Sequence, residues 1–84
     1  MSYSVSIKES AFKALARIDK PHRQRLIEAI EKLKISPTAG SVLKGEFSGL
    51  RRIRVGDYRI VYEVQDAQLV ILVIRIAHRR EVYK

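Results

Sequence analysis

Cysteine and tryptophan are absent from this chain of 84 residues, and methionine, proline and phenylalanine occur only once or twice each. Without cysteine, the chain can form neither a disulfide framework nor a thiolate metal site. The absence also fits a reducing cytoplasm. Because large aromatic residues are scarce, the core must be built mainly from Ile, Leu and Val. The length suffices for one domain, which we predict to span residues 1–84.

Long hydrophobic runs are also missing. The longest, Leu69 to Ile74, is far shorter than the roughly 20 residues that a membrane-spanning helix needs. The first ten residues, MSYSVSIKES, lack the apolar centre of a signal peptide. We therefore expect a soluble, cytoplasmic protein with no membrane partner.

Acidic residues are few, with 9 Asp and Glu against 17 Lys and Arg, so the formal net charge is +8. So large an excess in a short chain favours a polyanionic partner. Nucleic acid, an anionic membrane surface and an acidic protein all qualify on charge alone.

The first third of the chain has the pattern of one strand and two helices. Residues 3–7 alternate Tyr, Val and Ile with Ser, as a half-buried strand does. In residues 9–18, Phe12, Leu15 and Ile18 are spaced three apart and predict an apolar helix face.

Asp19 and Pro21 predict the start of a second helix, with Asp19 as N-cap and Pro21 in the first turn. Ser36-Pro37 predicts its end. The apolar stripe of this helix is predicted to contain Leu26, Ile27, Ile30 and Leu33. The two helices should form an αα-hairpin.

The remainder of the chain predicts a connecting loop followed by three strands. Residues 36–49 hold three of the four glycines, which is typical of a loop. Gly56-Asp57 fits a two-residue hairpin turn, and the return strand is predicted over 58–64. The strand over 69–76 has apolar residues at both odd and even positions, and therefore on both faces. We expect it to lie centrally in the sheet with both faces covered. The predicted fold is α+β, a two-helix hairpin on a small, mostly antiparallel sheet in the order β-α-α-β-β-β.

The hairpin carries four arginines between positions 51 and 59. With Gly56-Asp57 as the loop, Arg54 lies opposite Arg59, and Arg52 shares their face of the sheet. Arg51 falls on the opposite face. This assignment depends on the register, since a slip of one residue exchanges the two faces.

Two arginines opposite each other cost about a few tenths of a kcal/mol. An anion between them would reverse the repulsion, and guanidinium groups suit phosphate oxygens. The hairpin therefore favours a phosphate site, although a solvated basic face with splayed side chains is the alternative.

The C-terminal segment adds further candidates. Arg79 and Arg80 extend the basic cluster, and Tyr83 could stack on a base of a flexible RNA strand or simply pack on the sheet edge. His78 stands beside these arginines, where like charge favours a neutral imidazole that can exchange a proton near neutral pH. His22 is interpreted as a surface residue.

Two histidines without cysteine make no convincing metal site, and no Walker, Rossmann or HExxH motif is present. We therefore expect neither a metal nor another cofactor.

Three stretches together resemble the RelE-type toxins of bacterial and archaeal toxin–antitoxin pairs, in the RelE/ParE superfamily. They are LKG at 43–45, RRIRVGDYRIVYEV at 51–64 and VIRIAHRREVY at 73–83. The resemblance extends over the whole chain. It implies a metal-independent endoribonuclease that cuts messenger RNA, typically in the ribosomal A site, and a cognate antitoxin that blocks it. Operator DNA would be bound only through the antitoxin complex.

The resemblance also implies roles for individual residues. Arg59 and Arg79 would stabilise charge on the phosphate during attack by the 2′-hydroxyl. Arg52 and Arg54 would position the RNA backbone. We also predict RNA contacts for the basic residues Arg80 and Lys44. Tyr83 would stack on a base or transfer a proton.

The chain departs from the best-known family member, which has lysines at the positions of Arg52 and Arg54. Arginine does not give up its proton, so neither residue can be the general base. His78 is then the first candidate and Tyr83 the second, unless the mechanism depends mainly on charge stabilisation.

Two other functions remain open. A ParE-type gyrase poison has the same fold, but its members generally lack the basic and tyrosine residues of HRREVY at 78–83. The other is a basic binding module that acts only with its antitoxin on operator DNA.

Overall fold

The computed structural model of the protein describes residues 3–43 and 49–78. Two helices and five strands are present in these ranges. They are β1 (Ser4–Ile7), α1 (Glu9–Arg17), α2 (Lys20–Leu33), β2 (Ser41–Val42), β3 (Leu50–Val55), β4 (Tyr58–Gln65) and β5 (Val70–His78), with a 3-10 helix at Asp66–Gln68 between β4 and β5. Neither helix is long and apolar enough to cross a membrane.

The strands form one mixed sheet in the order β1-β5-β4-β3-β2. β1 pairs with β5 in parallel, and the other neighbours are antiparallel. The helices pack on one face of this sheet, which confirms the predicted α+β class. The short edge strand β2 lies inside the segment that was predicted to be loop throughout.

Helix α1 buries a different stripe from the one predicted. Ala11 and Leu15 are buried, whereas Phe12 is 58% exposed. Residues four apart lie on the same side of a helix, so the small Ala11 lies above Leu15 and Phe12 falls on the flank. The prediction for Phe12 was wrong because it placed the larger apolar side chains in the core and did not consider the small Ala11.

Helix α2 begins as predicted, with Asp19 at the N-cap and Pro21 in the first turn. The Asp19 carboxylate lies 3.2 Å from Nδ1 of His22. Leu26, Ile30 and Leu33 are buried. Ile27 is 37% exposed because it lies beside this stripe.

β5 lies between β1 and β4, which confirms its predicted position inside the sheet. Its two faces are not equally covered, however. Ile71 and Val73 are fully buried under the helices, while Leu72 is half-buried and Arg75 is exposed on the other face. The prediction of full cover was wrong for this part of the strand, because apolar residues at both parities do not require helices on both sides.

A buried tyrosine fixes the segment that precedes β2. The Tyr62 hydroxyl donates a hydrogen bond to the carbonyl oxygen of Pro37 (2.9 Å) and accepts one from the backbone N–H of Gly40 (3.0 Å). The Arg51 guanidinium donates to the carbonyl oxygens of Gly40 (2.9 Å) and Thr38 (3.4 Å). Arg51 lies opposite Tyr62 in the β3–β4 register, so both side chains are on the helix side of the sheet. Together they attach residues 37–40 to the hairpin.

A second tyrosine connects β1 to the 3-10 helix. The Tyr3 hydroxyl donates a hydrogen bond to the Asp66 carboxylate at 2.5 Å. This bond, together with partial desolvation and the negative charge of Asp66, raises the pKa of Tyr3 above its ordinary value of 10.0.

Candidate nucleic-acid interface

The hairpin register is the one predicted from the Gly56-Asp57 turn. Arg54 pairs with Arg59, and Gly56 has φ +61°, the left-handed conformation expected of glycine at the start of this turn. Arg52, Arg54 and Arg59 consequently lie on the face of the sheet opposite the helices. The predicted separation of Arg51 from these three residues is also confirmed.

A fourth arginine joins this face. Arg75 pairs with Val61, which in turn pairs with Arg52, so the three residues form a row across three strands. We call Arg52, Arg54, Arg59 and Arg75 the arginine face. A patch of four guanidinium groups on one side of a small sheet produces a local positive field that attracts polyanions.

Sequence reasoning missed Arg75 because strict alternation from Val73 places it on the helix side. A register shift between Val61 and Tyr62 inserts Ile74 as an extra residue in β5. Such a bulge reverses the alternation beyond it, which is a known way of redirecting a side chain. The only sequence signal was a lone arginine within an otherwise apolar strand.

The arginines differ in exposure. Arg59 is only 6% exposed, whereas Arg54 is exposed and Arg52 is half-buried. Burial restricts the Arg59 side chain and lowers the dielectric around its charge, which strengthens its field at short range. Arg54 directly opposite is accessible. Arg59 is therefore suited to hold a fixed charge, and Arg54 to reach a ligand.

Among the described strand residues, Glu63 is the acidic residue on the same face of the sheet as the arginines. Glu63 pairs with Leu50 and Leu72, two positions along β4 from Val61, and its carboxylate accepts a hydrogen bond from the Gln65 amide at 2.7 Å. Glu63 is thus engaged locally. Arg54 and Arg59 lie toward the other end of β3 and β4, next to the Gly56-Asp57 turn.

His78 lies on the other side of the sheet from these arginines. It pairs with Tyr58, and the two rings meet edge to face with centroids 5.3 Å apart. The ring centroids of His22 and Tyr58 are 5.7 Å apart. A general base must come within hydrogen-bond reach of the proton that it removes. The structure does not bring His78 together with the arginine face.

Four predicted site residues, Lys44, Arg79, Arg80 and Tyr83, lie outside the described residues. Their roles stay predictions. Within residues 3–43 and 49–78, no group of three or more His, Asp or Glu side chains could hold a metal ion.

An open pocket of about 440 Å³ lies at the edge of the arginine face. Its walls are Ala39, Gly40, Ser41, Arg52, Ile53 and Arg54. Ser41 pairs with Arg52 across the β2–β3 ladder, so its side chain lies on the same face as the arginines. Sequence reasoning missed Ser41, which gave no signal in a segment of mixed small residues.

The chain matches the sequence model of the ParE toxin of type II toxin–antitoxin systems over residues 5–83. It is also 31% identical to an Escherichia coli protein that is named as a RelE-like toxin. That alignment covers 94% of this chain and 85% of the relative.

Two solved structures have the same fold. In the RelBE2 toxin–antitoxin complex of Mycobacterium tuberculosis, the matching chain is 25% identical with a TM-score of 0.88, and 94% of this chain and 100% of that chain are covered. In the archaeal RelE–RelB complex of Pyrococcus horikoshii, identity is 33% and the TM-score is 0.80, with 98% and 100% covered. The sequence match, the shared fold and the arginine face agree with the resemblance seen in the sequence, and the chain belongs to the RelE/ParE superfamily of toxins of type II toxin–antitoxin systems.

Proposed function

We propose that this protein is the toxin of a RelBE-type pair and acts as a metal-independent endoribonuclease on messenger RNA in the ribosomal A site. The observation that carries the proposal is the arginine face. Its buried Arg59 and accessible Arg54 stand directly opposite each other in the β3–β4 ladder. Guanidinium groups in this arrangement suit two oxygens of one phosphate.

The proposed reaction is attack of a ribose 2′-oxygen on the adjacent phosphorus. The bond from phosphorus to the 5′-oxygen breaks, leaving a 2′,3′-cyclic phosphate and a free 5′-hydroxyl. One proton leaves the 2′-hydroxyl and one is delivered to the 5′-oxygen. Negative charge increases on the two non-bridging oxygens in the transition state, where fixed positive charge is most effective.

Arg59, with Arg79 as its predicted companion, would stabilise that charge, while Arg52 and Arg54 position the RNA backbone. The position of His78 on the helix side weakens its claim as the general base. We therefore assign the proton transfers to Tyr83, or to solvent assisted by the arginine charges.

The proposed macromolecular partners are messenger RNA, the ribosome and a cognate antitoxin. The M. tuberculosis and P. horikoshii relatives were solved as complexes with their antitoxins. A net charge of +8 favours an antitoxin whose binding segment is acidic. Operator DNA would be contacted through that complex.

Arg54→Ala tests the nuclease directly, with Arg17→Ala as the matched control. Both arginines are exposed, but Arg17 lies on α1, on the other side of the sheet. Primer extension on messenger from a purified translation system would map the cuts. We expect Arg54→Ala to slow cleavage roughly tenfold, since an exposed charge contributes less than a buried transition-state contact, and Arg17→Ala to cut at the normal rate.

Arg79→Ala extends the test to the C-terminal segment, and we expect it to abolish most cleavage. Equal cleavage by the unsubstituted protein, Arg54→Ala and Arg79→Ala would contradict the proposed site. Gyrase-dependent DNA breaks with intact messenger would instead establish the ParE-type function.

A further inference from the structure

The open pocket at the edge of the arginine face is lined by the polar side chains of Ser41, Arg52 and Arg54. We propose that it is a nucleotide subsite, which receives the base and ribose of a residue next to the phosphate held by Arg54 and Arg59. Ser41 would contact the base edge and contribute to sequence preference. This inference rests on the proposed action on RNA and adds where a neighbouring nucleotide binds.

Residues 39–41 form part of the pocket lining, and close packing and hydrogen bonds fix the position of this segment. Gly40 is buried, and a Cβ atom there would lie 2.6 Å from the carbonyl oxygen of Arg52 and 2.8 Å from the Tyr62 hydroxyl. Only glycine permits so close an approach between this segment and β3. The hydrogen bonds of Tyr62 and Arg51 to residues 37–40 hold this segment in place.

Arg52, Ile53 and Arg54 form the rest of the pocket lining. Planar guanidinium groups stack on nucleobases as well as binding phosphates, so these two arginines can contact either part of a nucleotide. The volume of about 440 Å³ lies within the range of small-molecule sites.

Ser41 supplies the group that can discriminate between bases. Its side chain is exposed and lies beside Arg52 on the pocket rim. A hydroxyl both donates and accepts a hydrogen bond, and single-stranded RNA presents its base edges for such contacts. Ser41 is therefore proposed as a specificity-determining residue.

Two serines allow a matched experiment. Ser6 lies on the same face of the sheet as Ser41 but on β1, at the opposite edge, and it is also exposed. Ser41→Leu would place apolar bulk in the pocket and remove the hydroxyl, and Ser6→Leu would make the same change elsewhere. The probe is a labelled single-stranded RNA in which every 2′-hydroxyl is methylated, so that it cannot be cut. Fluorescence anisotropy measures its Kd.

We expect Ser41→Leu to raise the Kd at least tenfold and Ser6→Leu to leave it within twofold. Ser41→Ala should keep binding but change the relative affinities for the four homopolymers. Equal Kd values for the two leucine variants, or no saturable binding by the unsubstituted protein, would overturn the proposal.

Measuring messenger cleavage as well as RNA binding distinguishes a failure of this inference from a failure of the proposed function. A protein that cuts messenger while Ser41→Leu binds like Ser6→Leu retains its function and lacks this subsite. A protein that binds RNA through the pocket but cuts no messenger retains the subsite and loses the proposed activity.

Discussion

Removing one buried hydroxyl by Tyr62→Phe should destabilise the protein strongly. Tyr62 is fully buried, and its hydroxyl serves both the N–H of Gly40 and the carbonyl of Pro37. Phenylalanine fills nearly the same space, so the core packing is retained. Within residues 3–43 and 49–78, the Gly40 N–H and the Pro37 carbonyl have no other hydrogen-bond partner, so both would lose their bond.

The magnitude follows from the burial of those two groups. Gly40 is buried, so its N–H cannot turn to water and costs about 1–3 kcal/mol when left unbonded. Pro37 is only half-buried, so its carbonyl can be hydrated and should cost about 0.5–1.5 kcal/mol. We expect the free energy of unfolding to fall by about 2–4 kcal/mol in total, a large part of the stability of a small domain.

Tyr58→Phe is the matched control, since it makes the same change four positions earlier on β4. The Tyr58 side chain is half-buried, and its hydroxyl makes no hydrogen bond among residues 3–43 and 49–78. Its effect should stay within about 0.5 kcal/mol. Urea unfolding followed by circular dichroism measures both variants. If Tyr62→Phe were no less stable than Tyr58→Phe, the hydrogen bonds of the Tyr62 hydroxyl would not contribute to stability as assigned.

Three further predictions concern packing and pH. Gly40→Ala should destabilise the protein by about 1–3 kcal/mol in urea unfolding, because the added methyl group overlaps the β3 backbone; an unchanged midpoint would show that the segment can move away freely. Leu26→Ala should lower the free energy of unfolding by about 2–5 kcal/mol because Leu26 is fully buried. Ile27→Ala should cost far less because Ile27 is 37% exposed. Similar losses for the two variants would contradict the buried face of α2 described above. The pKa of Tyr3 is raised in the folded protein, so its hydrogen bond to Asp66 stabilises the fold fully below the unfolded pKa of 10.0. This stabilisation is lost as the pH rises through the folded pKa. The difference in unfolding free energy between the unsubstituted protein and Tyr3→Phe should therefore be constant near pH 8 and shrink above pH 10.

Local patterns were sufficient for much of the fold. The helix start at Asp19-Pro21 and the turn at Gly56 depend on residues adjacent in sequence, and both were predicted correctly. The turn also set the β3–β4 register, because a two-residue loop leaves one pairing. Hence the shared face of Arg52, Arg54 and Arg59 could be predicted from the residues of the hairpin alone.

Other features depend on contacts between distant segments. The strand β2 has only two residues, and it pairs with β3 because Tyr62 and Arg51 fix the preceding backbone. Nothing in the local sequence signals that arrangement. The exposure of Phe12 likewise depended on what packs against α1, where the small Ala11 is buried instead.

The chemical character of the site follows from the amino-acid sequence alone, since charge and register are local properties of the hairpin. Which residues belong to the site depends on the tertiary structure. The bulge at Ile74 moved Arg75 onto the arginine face, and the pairing with Tyr58 placed His78 on the helix side. Side-chain alternation is set by the pairing of whole strands, so one inserted residue changes the face of every residue beyond it.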